Sequence, residues 1–259
     1  MGLTRFALRF AAPLPRIESF ERYLFIGPHP DDIEIGAGAT AAKLVSLGKQ
    51  VTFLICTDGR FGLGSAPAGT TPDQLAEMRR AESLRSAAIL GVQDVRFLNL
   101  QDGAGYDVHD LLLGIAGTVA RLQPDVIFAP DPCVSSECHQ DHLNVGMVAR
   151  QIACFAPYGE IMQQYQAAKA PVKALCYYMT ARPNRMVNTG GFLEKQFSSI
   201  FDCHLSQYPK GSQEAASIRT YLKLRSVDFA LRSFNLRFSS EGFRMLDQLH
   251  MHCLPEAGL

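Results

Sequence analysis

The chain has 259 residues, 47% of them hydrophobic and 19% charged, and its 25 basic and 25 acidic side chains leave no net charge. That is the composition of a soluble globular protein with a sizeable core, and the length suits one large α/β domain or two small ones. Zero net charge argues against nucleic acid or an anionic membrane surface as the main partner; no apolar run is long enough to span a bilayer; and seven cysteines without regular spacing argue against a disulfide framework and for a reducing, cytoplasmic compartment.

The stretch from Met1 to Arg16 carries Arg5, Arg9 and Arg16 and no acid. It reads as an N-terminal arm, taken as residues 1–20, with organellar targeting as a minor alternative. A short apolar run, Tyr23 to Ile26, is the first predicted strand. The turn Gly27-Pro28-His29-Pro30-Asp31-Asp32 follows, and then a helix-like run of small residues from Ile35 to Leu47. Loops that leave the carboxyl ends of strands in open α/β sheets bind ligands. The two prolines stiffen this one, so one imidazole and two carboxylates can be held at set distances. The plainer reading is that Asp31 or Asp32 only caps the helix.

Val51 to Cys56 is the second strand, and Thr57-Asp58-Gly59-Arg60 leaves it. Asp-Gly is a turn signal, so Asp58 reads as a turn residue. The Gly-, Ala- and Pro-rich loop up to Pro72 reads as a lid or a disordered segment. A charged helix is predicted over 72–90, ended by Gly91. Val95 to Leu98 is the next strand, with Gln101-Asp102-Gly103 at its end, and Val108 to Leu122 the next helix. Then come the apolar strand Val126 to Ala129, the loop from Pro130 through Cys138-His139-Gln140-Asp141-His142, and a helix-like run from Leu143 to Phe155.

Strands and helices thus alternate through residue 155. This predicts a Rossmann-like three-layer α/β sandwich with a mainly parallel central sheet. With no internal repeat and no linker, the chain reads as a single domain, 1–259. Ala174 to Tyr178 is a further strand. Arg182 to Tyr208 has irregular polarity and stays unplaced. Glu214 to Leu231 has helical spacing, and its Arg219, Lys223 and Arg225 read as a solvated face.

Two strand-end loops therefore each offer His and Asp. His139 and His142 are three apart, so at a helix start they face the same way. Catalytic zinc takes three protein ligands and leaves a position for water. His29, Asp32 and His142 would supply such a set, leaving Asp31 and His139 for proton transfer and charge stabilisation.

The turn His29-Pro30-Asp31-Asp32 after the first strand, together with His139-Gln140-Asp141-His142 after a later one, resembles the signature of the PIG-L or LmbE-like zinc-dependent N-deacetylases. The resemblance extends to Thr57-Asp58-Gly59, to Arg79 with Glu82, to Asp102 and, near the end, to Ser240-Glu241-Gly242-Phe243. It implies zinc-dependent hydrolysis of an N-acyl group, most simply N-acetyl on an amino sugar or glycoconjugate. The partner is then a small N-acetylated sugar or conjugate; self-association into a homo-oligomer stays open. By the same resemblance His29, Asp32 and His142 bind the metal, Asp31 is the general base, and His139 donates to the oxyanion or protonates the leaving amine. Asp141 would either orient His139 and raise its pKa or cap the following helix. Arg79 and Asp102 match positions that contact a sugar; alternatively Arg79 pairs with Glu82 along its helix. Ser135-Ser136-Glu137-Cys138 departs from the glycine or aromatic residues that many members carry there.

Two rival readings rest on other residues. Gly36-Ala37-Gly38-Ala39-Thr40-Ala41 has the form of a dinucleotide fingerprint, with Asp58 where a ribose-binding acid is expected, and would make the chain an oxidoreductase. Against it, Gly36 follows the strand by ten residues, and the acidic turn between would repel a pyrophosphate. Close helix-to-sheet packing explains the small residues more simply. Cys133, Cys138, His139 and His142 would instead suit a structural zinc site, which leaves the first acidic turn unexplained.

Overall fold

Strand β1 (Arg22–Gly27) is buried almost end to end, and its side chains alternate between two separate apolar layers. Leu24 and Ile26 face one layer, Tyr23 and Phe25 the other, as the two-residue repeat of an extended chain requires. Strands β2 (Gln50–Thr57) and β4 (Val126–Pro130) divide their residues in the same way. Helices α1 (Asp32–Ser46) and α2 (Pro72–Leu90) close the layer that holds Phe25. Helices α3 (Val108–Leu122) and α4 (Gln140–Phe155) close the layer that holds Leu24. The protein, in a computed structural model, is described over residues 10–252 and at Leu254; residues 1–9 of the expected arm lie outside the described residues.

Strands β3 (Asp94–Leu100), β5 (Ala174–Tyr178), β6 (Arg185–Asn188) and β7 (Ser240–Asp247) complete a seven-stranded sheet of order β3-β2-β1-β4-β5-β7-β6. The first five strands run parallel, and β7 lies antiparallel between β5 and β6. The rest of the chain forms α5 (Gly159–Gln164), α6 (Leu193–Phe201), α7 (Gln213–Arg232) and α8 (Gln248–His252). The Rossmann-like three-layer arrangement expected from the alternation is what the chain adopts. The stretch left unplaced from Arg182 to Tyr208 supplies β6 and α6.

The order of the sheet reverses between β1 and β4. From β1 the chain winds outward through β2 and β3; from β4 it winds the other way to β5. The loops after β1 and β4 therefore leave neighbouring strands toward opposite faces, and a crevice opens between them. Two glycines let the helices that leave this crevice lie close to the sheet. A Cβ on Gly36 would fall 2.2 Å from the Tyr178 ring, and one on Gly146 would fall 2.7 Å from the Pro130 carbonyl oxygen. This corrects the oxidoreductase reading. Gly36 and Gly38 sit inside α1, against Tyr178 and Gln196, and not in a turn open to a pyrophosphate.

The last strand fastens α1 from behind. Glu241 of β7 accepts hydrogen bonds from Thr40 N at 2.7 Å, Ala39 N at 3.3 Å and Gln196 Nε2 at 2.9 Å. Burial pushes its carboxyl up to about 7, although these donors pull the other way.

Candidate active site

The turn after β1 is held from several sides. Thr57 at the end of β2 donates to the Pro28 carbonyl through both N (2.8 Å) and Oγ1 (2.9 Å). Asp31 has φ +117° and ψ −25°, a left-handed conformation that a non-glycine residue keeps only where its surroundings impose it. Those surroundings are polar and buried. Arg79 of α2 donates through Nη2 to Asp31 Oδ1 at 3.1 Å and to the Pro30 carbonyl at 2.6 Å. Tyr208 donates its hydroxyl to Asp31 Oδ2 at 3.0 Å. Asp32 begins α1, where the helix dipole favours a carboxylate.

His29 lies at the centre. Its Nδ1 is 3.1 Å from Asp32 Oδ2, and its Nε2 is 3.1 Å from both Asp102 Oδ1 and Asp141 Oδ2. His142 reaches the same carboxylate from the second loop, with Nε2 3.3 Å from Asp32 Oδ2. On its far side His142 Nδ1 is 3.1 Å from Glu137 Oε2, an ion-pair distance without hydrogen-bond alignment. The ring of His139 meets that of His29 edge to face, 4.6 Å between centroids. A third loop, after β3, closes the floor. Asp102 accepts from Phe61 N at 3.1 Å, and Asp141 accepts from Gly103 N and Ala104 N, each at 2.9 Å.

Charge in this cluster follows from who faces whom. Burial opposes a charge on His29, but hydrogen bonds to Asp102, Asp141 and Asp32 outweigh it and hold the ring well above the ordinary imidazole range. Burial also opposes the charge on Asp32, yet His142 and His29 hold it well below the usual carboxylate range. Asp31 behaves differently. Burial raises it, and the Arg79 guanidinium only partly offsets that. Neighbouring carboxylates in one turn thus lean opposite ways, as acid–base and charge-holding partners do. His139 is lowered, first by burial and then by the two neighbouring imidazoles.

Two groups of side chains could hold a metal ion. In each, one ligand atom per residue lies within 4.8 Å of all the others: His29, Asp32 and His142 form one, and His29, Asp102, His139 and Asp141 the other. In the first set, each imidazole has a carboxylate behind it: Asp102 and Asp141 at His29, Glu137 at His142. Such outer carboxylates fix the orientation of metal-binding imidazoles and raise their basicity. A His₂Asp donor set of this kind fits zinc.

Several expected roles change. Arg79 and Asp102 are only 5% and 6% exposed; the Arg79 Nη atoms hold Asp31, Pro30 and Gly59, and the Asp102 carboxylate holds His29 and Phe61. Arg79 does not pair with Glu82 either, because that carboxylate takes the N and Oγ of Ser206. Asp141 does not cap α4; the cap is His139, whose Nδ1 accepts from Asp141 N at 3.3 Å. The Asp141 carboxylate, 3.8 Å from His139 Nδ1, does raise the pKa of His139 as expected, but burial and the neighbouring imidazoles of His29 and His142 outweigh it. That cap leaves the proton of a neutral His139 on Nε2. Cys133 and Cys138 are exposed and belong to neither metal-type group, which corrects the structural-zinc alternative. Asp58 is the expected turn residue, accepting from Arg60 N and Asp102 N. The start of the loop that follows is tied down, with Gly59 O and Gly62 O bonded to Arg79 and Gln207. Tyr208 escaped the sequence reading altogether. It lies 177 residues from Asp31, and nothing local marks it.

A crevice at the reversal point of a parallel sheet, lined by imidazoles and carboxylates from three strand-end loops, defines an α/β protein with a hydrolase-type, metal-binding centre. The sequence profile of the PIG-L family, described as GlcNAc-PI de-N-acetylase, matches residues 24–153. The diacetylchitobiose deacetylase of Thermococcus kodakarensis is 28% identical over 240 residues, covering 92% of this chain and 87% of its own. The 1D-myo-inositol 2-acetamido-2-deoxy-alpha-D-glucopyranoside deacetylase of Kineococcus radiotolerans is 32% identical over 163 residues, 52% of this chain and 45% of its own. The solved N,N'-diacetylchitobiose deacetylase from Pyrococcus horikoshii superposes with a TM-score of 0.83 at 27% identity, covering 96% of this chain and 94% of that one. The chain belongs to the PIG-L family and is an N-deacetylase. Among the described residues, no helix is long and apolar enough to cross a membrane.

Proposed function

We propose that this chain hydrolyses the N-acetyl group of a small amino sugar or glycoconjugate, with zinc held by His29, Asp32 and His142. The observation that carries this reading is the meeting of those three side chains beside Asp31, a carboxylate fixed by Arg79 and Tyr208. When bound, zinc makes water acidic enough to act as a nucleophile near neutral pH and polarises the acyl oxygen.

The chain's own residues supply the rest. Asp31 takes the proton of the attacking water and returns it to the departing amine nitrogen, so that amide and water become amine and acetate. Arg79 and Tyr208 each hold one oxygen of Asp31 and keep the carboxylate aimed. His139 stands at the mouth, its side chain 48% exposed, and its neutral ring presents Nε2–H to the oxyanion. Asp102 and Asp141 face His29 Nε2 and keep Nδ1 turned toward Asp32. Relatives named for N-acetylated sugars support the substrate class. The described cysteines are all free thiols, which supports a reducing, cytoplasmic compartment. The test is release of free amine from N,N'-diacetylchitobiose and N-acetylglucosamine by the zinc-loaded protein. A fully zinc-loaded protein that releases no amine from any N-acetylated sugar would contradict the reading.

A further inference from the structure

A second cavity, of about 940 Å³, lies between the outer side of α4, the ends of β5 and β7, and α8. None of His29, Asp31, Asp32, Asp102, His139, Asp141 or His142 lines it. Its size is that of a small-molecule site. Two features set it apart from ordinary surface.

The first is its charge. Arg150, Arg182 and Arg244 line it together, in a chain whose overall charge is zero. Among the described residues, neither Arg150 nor Arg182 has an ion-pair partner. The acid in the wall, Asp131, is already engaged: it accepts from Thr180 Oγ1 at 2.6 Å and from Cys133 N at 3.0 Å. The second feature is Tyr177. It pairs across the sheet with Arg244 and is 2% exposed, and its hydroxyl is buried with no hydrogen-bond partner among the described residues. A buried hydroxyl without a partner is costly and rare in folded proteins. An acceptor brought into the cavity would give it one.

We propose that this cavity is a binding site for a small molecule carrying a phosphoryl group, separate from the deacetylase centre. Guanidinium groups bind oxyanions through paired N–H bonds. Those of Arg150 and Arg182, with the unpartnered Tyr177 phenol in the same wall, offer more donors than the two oxygens of a carboxylate use, and a phosphoryl group has oxygens for all. The apolar part of the wall, Met147, Val148 and Leu246, suits an organic body attached to that group. The proposal does not rest on the deacetylase reading, and its test does not use activity.

Calorimetric titration of the zinc-loaded protein with inorganic phosphate, phenyl phosphate and phenol tests it. Both phosphates should bind and phenol should not. The double variant Arg150→Ala/Arg182→Ala should weaken both by at least roughly tenfold, and Tyr177→Phe by severalfold. Tighter binding of phenyl phosphate assigns the site to an organic phosphate; equal binding assigns it to free phosphate. Zinc content checks that the variants remain folded at the other centre. If neither phosphate binds, or both bind the double variant as tightly as the natural chain, the proposal is wrong. Phosphate held at the metal centre would give that second result.

Discussion

Every acid and imidazole of the candidate centre comes from the loops after β1, β3 and β4, whereas the groups that hold Asp31 in place come from α2 and from the stretch after α6. The first region carries the chemistry on the ends of buried parallel strands. The second contributes no candidate metal ligand, yet it reaches under the turn through Tyr208 to Asp31, His204 to Glu34 and Ser206 to Glu82. The contrast shows how a carboxylate at φ +117° is kept there. The turn alone does not impose that conformation; a buried guanidinium and a distant phenol do. Substitutions in the two regions should therefore fail in different ways.

The largest effect belongs to the strand-end loops. His142→Ala should lose most of the zinc and with it nearly all activity, whereas His139→Ala should keep the zinc and lose about 10²–10³ in kcat. Elemental analysis beside kinetics separates the two metal-type groups that share His29. Zinc retained in His142→Ala and lost in His139→Ala would move the metal to the set with Asp102 and Asp141.

The supporting region should give a smaller and different loss. Tyr208→Phe removes one hydrogen bond from Asp31, so kcat should fall by about tenfold while KM and zinc content hold. Arg79→Ala should cost stability as well, about 3–5 kcal/mol, because it leaves a buried carboxylate without its charge partner. An unchanged kcat in Tyr208→Phe would reduce that contact to packing.

An effect on stability alone concerns the tie between β7 and α1. Glu241 has its carboxyl raised to about 7 from an ordinary 4.5. The folded state therefore binds the proton more tightly, and this contribution is present below about pH 4.5 and lost as pH rises through about 7. Urea unfolding of the natural chain should weaken across that window by on the order of 3 kcal/mol. Glu241→Gln should flatten the slope. Equal slopes would mean that the backbone donors of α1 keep Glu241 ionised.

The parallel half was legible in the sequence because its rules are local. Apolar runs gave β1, β2 and β4, helical spacing gave α2 and α3 at their observed limits, and each polar loop fell at a strand's carboxyl end. The two acidic clusters were visible for the same reason. Asp102 and Arg79 were visible as residues but not in their surroundings, since only the packed fold turns them toward His29 and Asp31. Tyr208, His204 and β6 were not legible. Their partners lie far along the chain, and the segment that carries them has no period of its own. Gly36 shows the opposite hazard, a local pattern with a ready meaning that the Tyr178 ring overrules.

The central claim is that neighbouring carboxylates divide the work, Asp31 as base and Asp32 as metal ligand. The direct measurement is zinc content and kcat on Asp31→Asn and Asp32→Asn, prepared and assayed side by side. Asp31→Asn should bind zinc like the natural chain and lose about 10²–10⁴ in kcat, because the amide cannot accept the water's proton. Asp32→Asn should lose zinc and activity together, since a neutral amide is a poor zinc ligand. Zinc lost from Asp31→Asn and kept by Asp32→Asn, or a natural kcat in Asp31→Asn, would contradict the account.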